Sequence, residues 1–284
     1  MKLSFNSWVY CSFPSWLPVR SLEDTIDELS AIGYDAIEIG GAAPHGYPDH
    51  LDAERRAAIV RHLDGAGLAV SAICPALGGA PGYNPCSPDA PERRAGIHYM
   101  EACLRLAADI RCEYVIWLGG WRRYGQSRSE AWGYAVENLQ ACATVAREVG
   151  VKLAIEPTPT DSNMLEHAGD CLRLLNDAGV GADVGGVMLD TAHVFNRNDE
   201  VQDAFGEAGD RLVYVHIAEG NRDAPGTQHH FGTLVEELQR MGYDGWLSLE
   251  VGFNRREVDP GGLARASYGH MREVLDAAGV SATS

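Results

Sequence analysis

The chain has 284 residues, 45% of them apolar, and a formal net charge of −17. That length suits one large barrel or two smaller domains. The acidity excludes nucleic acid and anionic membrane surfaces as partners, because phosphates need a basic face.

The acidic residues are spread along the chain and form no tail, a pattern that serves solubility. The seven cysteines, Cys11, Cys74, Cys86, Cys103, Cys112, Cys142 and Cys171, are odd in number and include no CxxC pair. They read as reduced thiols of a cytoplasmic protein. The opening "MKLSFNSWVYCSFPSW" has one lysine, an early proline and no long apolar run, so it is not expected to be a signal peptide. No stretch approaches the roughly 18 apolar residues of a membrane helix.

Taken in chain order, short apolar runs at 2–8, 35–40, 69–76, 114–120, 152–157, 186–193, 212–219 and 246–252 read as buried strands. Between them, helical spacing covers 21–35, 51–68, 87–111, 127–150, 167–179, 199–210, 231–244 and 261–279. The first of these has a serine cap at Ser21, acids Glu23 and Asp24 in its first turn, and a stop at Gly33. Strand and helix alternating in eight units predict an α/β fold, a (β/α)8 TIM barrel forming a single domain over 1–284. A doubly wound open sheet is the competing arrangement. It usually carries a Gly-rich phosphate turn after the first strand, and "VYCSFPSWLP" is no such turn.

In a TIM barrel the reacting groups sit where strands end. The fifth strand ends in Glu156, and the sixth gives Asp190 with His193 three residues on. The seventh gives His216 with Arg222 six residues on, and the eighth gives Glu250. Each alone fits a helix cap or a loop ion pair. Together, one per consecutive strand, Glu156, Asp190, His216 and Glu250 can converge at the barrel mouth. Such a hard, oxygen-rich set suits Mn²⁺, Co²⁺ or Mg²⁺, and zinc is compatible with it. His45, Trp117, Trp121 and Arg122 are pocket candidates by position alone.

With these residues the chain resembles the xylose-isomerase-like TIM barrels, the sugar isomerase and epimerase superfamily. Within it the chain is similar to the ketose 3-epimerases, including the tagatose, psicose and fructoselysine groups. The run "RDAPGTQH" fits the group's Arg-x-x-Pro-Gly-x-x-His pattern and adds His229. The resemblance implies one divalent metal, Mn²⁺ first, held by Glu156, Asp190, His216 and Glu250. It implies that His193 and Arg222 hold substrate hydroxyls, and it suggests homodimers or homotetramers. The tagatose-type enzymes carry a second Glu six residues beyond the strand-5 Glu. Here Ser162 stands there, preceded by Asp161, so the far end of the substrate is expected to differ.

The expected reaction is C3 epimerisation of a ketose or ketose derivative through a cis-enediolate. Glu156 and Glu250 would serve as acid and base, and a divalent cation would hold the carbonyl and adjacent hydroxyl. The same machinery serves aldose–ketose isomerisation. The alternative is a lyase or dehydratase acting on a keto-sugar or keto-inositol, or opening an oxidised glycoside. A DNA-repair reading like that of the endonuclease IV enzymes conflicts with the net charge. A barrel that only binds sugar is weakened by the complete carboxylate pair.

Overall fold

β-Branched, leucine-rich and aromatic runs form parallel strands here because such strands are covered on both faces and bury nearly every side chain. The computed structural model describes residues 1–11, 19–76, 82–159, 162–252 and 259–280. Its strands are β1 (Lys2–Asn6), β2 (Ala36–Gly40), β3 (Ala69–Cys74), β4 (Tyr114–Leu118), β5 (Lys152–Glu156), β6 (Gly185–Asp190), β7 (Leu212–Ile217) and β8 (Trp246–Leu249). Each pairs in parallel with the next, and β8 pairs back onto β1. The expected eight-stranded barrel is the observed one.

The helices α1 (Leu22–Ile32), α2 (Ala53–Ala66), α3 (Ala90–Asp109), α4 (Arg128–Val149) and α5 (Ala168–Asp177) follow the first five strands. Two helices, α6 (Thr191–Arg197) and α7 (Val201–Ala208), join β6 to β7, where the spacing predicts one. The remaining helices are α8 (Gly232–Arg240) and α9 (Pro260–Ala277). The extra helix arises because Asp190 caps it: the Asp190 carboxylate accepts from the Ala192 N–H at 2.8 Å. The Ser21 cap is as predicted, its hydroxyl accepting from the Asp24 N–H at 3.0 Å, which contributes ~1 kcal/mol to α1.

Two apolar layers separate by strand parity. In β4, Val115 and Trp117 join the layer between barrel and helices. Tyr114 and Ile116 join the barrel interior with Trp8, Cys11, Ala72, Cys74, Ala154, Met188 and Tyr214. Trp8 lies across the end of β2, where a Cβ on Gly40 would come within 2.9 Å of the indole. That approach requires glycine.

Below the mouth the interior is polar. Ser4 and Ser71 hydroxyls meet at 2.6 Å, and Ser71 meets the Tyr214 hydroxyl at 2.8 Å. Asn6 donates to Glu38 at 2.6 Å, and Tyr214 donates to the other Glu38 oxygen at 2.7 Å. All of these residues are buried.

Candidate metal and acid–base site

The barrel delivers its ligand-type groups from one half of the mouth. Glu156 is the last residue of β5, Asp190 the last of β6, His216 lies in β7 and Glu250 follows β8 directly. One ligand atom from each of Glu156, Asp190, His216 and Glu250 falls within 4.8 Å of every other. All four side chains are buried. His216 Nδ1 stands 3.2 Å from Glu250 Oε2, 3.9 Å from Glu156 Oε1 and 4.0 Å from Asp190 Oδ2. It has no hydrogen-bond partner.

A buried ring nitrogen facing three carboxylates without a hydrogen bond is what a cation ligand looks like before the cation is added. The donor set, three carboxylates and one imidazole, fits a hard divalent ion. These residues therefore fit the metal that the sequence predicts.

The electrostatics are strained by burial. Glu156 is pushed well above the ordinary carboxyl value by burial and by the charges of Glu250 and Asp190, which His216 and Arg222 only partly offset. Glu250 is raised as well, again by burial first. Burial also acts on Asp190, but Arg222, His193 and His216 outweigh it and hold its carboxyl below the usual range. Burial disfavours the charged His216 ring, yet Glu250 and Glu38 raise it well above the ordinary imidazole value.

His193 comes from the first turn of α6, three residues past Asp190. Its Nε2 is 3.8 Å from Glu156 Oε1 and 4.0 Å from Asp190 Oδ2. Arg222 sits in the turn after β7 with a left-handed φ of 61°. Its backbone is pinned there, donating to Glu219 O at 2.8 Å and accepting from Gly252 N at 2.7 Å. Its guanidinium donates to Glu250 Oε2 at 2.7 Å and to Asp190 Oδ2, and lies 3.3 Å from His193 Nε2. A non-glycine residue held at positive φ marks a place where position outranks backbone comfort. Asp190, His193, Leu189, Pro157 and Pro159 border a cleft of about 560 Å³.

Trp8, Cys11 and Cys74 belong to the apolar cluster inside the barrel, with Ala42, Ala76 and Leu118 packed alongside.

Residues 26–274 match the xylose isomerase-like TIM barrel family. The chain belongs to that family. A fructoselysine 3-epimerase of Escherichia coli is 26% identical over 239 residues, covering 81% of this chain and 85% of the relative. An L-ribulose 3-epimerase of Mesorhizobium japonicum is 27% identical over 244 residues, covering 84% of this chain and 77% of the relative. The crystal structure of a D-psicose 3-epimerase determined with D-fructose superposes with a TM-score of 0.81 at 21% identity, covering 97% of this chain and 99% of that one.

Other predicted contacts fall elsewhere. Trp117 is not at the pocket: strand parity turns it outward, and its indole N–H donates to Asn138 of α4 at 3.1 Å. His229 does not reach the metal cluster. Its Nδ1 meets Glu219 Oε2 at 2.5 Å and its ring stacks on Phe195 at 3.8 Å. Glu219 also accepts from the N–H groups of Gly226, Gln228 and His229 at 3.1, 2.9 and 2.9 Å, so this pair braces the loop that carries Arg222. The Ser162 hydroxyl accepts from Thr158 at 2.9 Å and closes the β5 loop on itself. Asp161 lies outside the described residues.

His45 is buried, its Nε2 against Arg20 O at 2.9 Å. The backbone of Trp121 is tied to Asn84 through both its N–H and its carbonyl, and the backbone of Arg122 is tied to Asn163 in the same way. The sequence reading missed Glu38, Trp8 and Cys74. Glu38 carried one signal, a carboxylate in the middle of the apolar strand "AIEIG".

Proposed function

We propose that this chain is a divalent-metal-dependent epimerase acting at C3 of a ketose or ketose derivative. The observation that carries the reading is the pair of buried glutamates, Glu156 and Glu250, from β5 and β8. They flank Asp190 and the unbonded Nδ1 of His216. The substrate class rests on relatives named for fructoselysine and L-ribulose. Mn²⁺ is the expected ion, with Co²⁺, Mg²⁺ and Zn²⁺ compatible with the same ligands.

Inverting a carbon beside a ketone requires removal of a proton from one face and return of a proton to the other. Glu156 and Glu250 are assigned the two tasks because both carboxyls are raised above the ordinary value; Glu250 shares Arg222 with Asp190 but, unlike it, caps no helix among the described residues. Asp190 is committed to Arg222 and its helix cap, and His216 to Glu38. The glutamate that is ionised takes the C3 proton, and the glutamate that is protonated delivers one to the opposite face. Burial and their mutual charge hold Glu156 protonated further up the pH scale than an ordinary carboxyl, which gives the pair an acid and a base at once. A divalent ion held by Glu156, Asp190, His216 and Glu250 would supply positive charge for a developing oxyanion. Arg222 is placed to donate to a substrate hydroxyl oxygen, with His193 beside it as a second hydroxyl contact. The reading carries with it a homodimer or homotetramer working in the cytoplasm.

The test is product analysis. Mn²⁺-loaded protein is incubated with ketopentoses, ketohexoses and an N-linked fructosamine, and products are resolved by NMR and mass. The expected product is a C3 epimer of unchanged mass. A product lighter by one water, or an aldose, would replace this reading with the dehydratase or the isomerase.

A further inference from the structure

Glu38 belongs to none of the ligand or proton-transfer roles above. The geometry points to Glu38 as the positioning residue that fixes which nitrogen of His216 faces the cation, an inference that rests on the metal reading. Its two oxygens lie 3.0 and 2.9 Å from His216 Nε2, on the side of the ring away from the other carboxylates.

An ionised carboxylate can only accept, so Nε2 must carry the proton and donate it. The neutral ring then has its lone pair on Nδ1, the atom turned toward Glu156, Asp190 and Glu250. Carboxylate, imidazole and metal in that order orient the ring and strengthen it as a ligand.

Glu38 is itself locked by a chain of fixed roles. The Trp8 backbone N–H donates to Asn6 Oδ1 at 2.8 Å, which forces the amide nitrogen of Asn6 toward Glu38 Oε1. The Tyr214 hydroxyl donates to Oε2 at 2.7 Å. Asn6 and Glu38 are register partners on β1 and β2, so the donor is set by the sheet itself. All the donors are buried. A plug that merely filled the barrel would not need its proton acceptors aimed at the far nitrogen of a ligand.

Glu38→Gln tests the assignment at nearly constant volume. An amide has one accepting and one donating end. With its oxygen held by Asn6, its NH₂ faces Nε2, which moves the ring proton to Nδ1 and blocks the ligand lone pair. The expected result is Zn²⁺ and Mn²⁺ affinity weaker by about 10- to 100-fold, measured by calorimetry on protein shown folded by circular dichroism. The ¹⁵N spectrum of the Zn²⁺-loaded parent supplies a readout that needs no Glu38 variant. The His216 signal, assigned by its loss in His216→Gln, should show a protonated Nε2 and a metal-shifted Nδ1. Unchanged affinity in folded Glu38→Gln, or a metal-shifted Nε2 in the parent, overturns the inference and leaves the metal reading standing. A parent that binds no divalent ion overturns both.

Discussion

Arg222 donates to Glu250 Oε2 at 2.7 Å while its neighbouring contact is the carboxylate of Asp190, so one guanidinium ties β6, β7 and β8 together at the mouth. Charge-assisted hydrogen bonds of this kind contribute about 1.5–3 kcal/mol. Arg222→Lys keeps the charge and loses the fork. We expect kcat/KM to fall by about 100-fold, with most of the loss in KM, because hydroxyl binding suffers before proton transfer does. Steady-state kinetics on metal-saturated enzyme check this.

Glu156→Gln and Glu250→Gln each remove one of the two proposed proton carriers. The expected loss in kcat is at least about 10²-fold for either, the scale of a lost general acid or base. Because both residues are also expected ligands, bound metal must be quantified in the same samples. A Glu156→Gln enzyme that holds its metal and keeps full activity contradicts the assignment.

Metal binding should strengthen as pH rises. Glu156 and Glu250 have carboxyls raised above the ordinary 4.5, and His216 is raised above 6.5. In each case the folded protein holds a proton that the unfolded chain releases earlier. These protons stabilise the apo fold fully below the unfolded values, and that stability drains away as pH climbs through the raised ones. Asp190 has the opposite sign: its lowered carboxyl stabilises the fold above the unfolded value of 3.8 and is lost only in strong acid. A cation must displace the held protons, so binding releases protons. Calorimetry in buffers of different ionisation enthalpy counts them, and a proton count of zero would contradict the electrostatics.

Trp117 and His229 separate support from chemistry. Trp117→Phe leaves Asn138 Oδ1 without its indole donor inside the helix layer. It should lower stability by about 1–3 kcal/mol while leaving the activity of the folded fraction near that of the parent. His229→Ala removes the stacking on Phe195 and the ring contact to Glu219, loosening the Arg222 loop. It should raise KM with little change in metal affinity. Thermal unfolding and metal titration distinguish the two outcomes.

The barrel and its metal-type cluster were legible because the ligand-type residues sit at or near the ends of apolar runs: Glu156 after Leu153–Ile155, Asp190 after Val187–Leu189, and His216 one residue before the end of β7. Period and punctuation carry that information in one dimension. Glu38 was not legible for the opposite reason. It sits within its strand, and its meaning depends on which strand lies across the barrel and which way residue 38 faces. Trp117 was misplaced by the same ignorance of parity, since one step along β4 decides between pocket and helix layer. The helix α6 was missed because Asp190 serves as strand end and helix cap together, a double role that a residue type alone does not announce.

The most direct measurement of the central claim is deuterium incorporation at C3 with and without metal. The protein is stripped with chelator, then incubated with a ketose panel in D₂O before and after Mn²⁺ is restored. The account predicts loss of the C3 proton signal and growth of the epimer only with Mn²⁺ present, and neither in Glu156→Gln or Glu250→Gln. Exchange that proceeds equally in the stripped protein, or that survives loss of both glutamates, would contradict it.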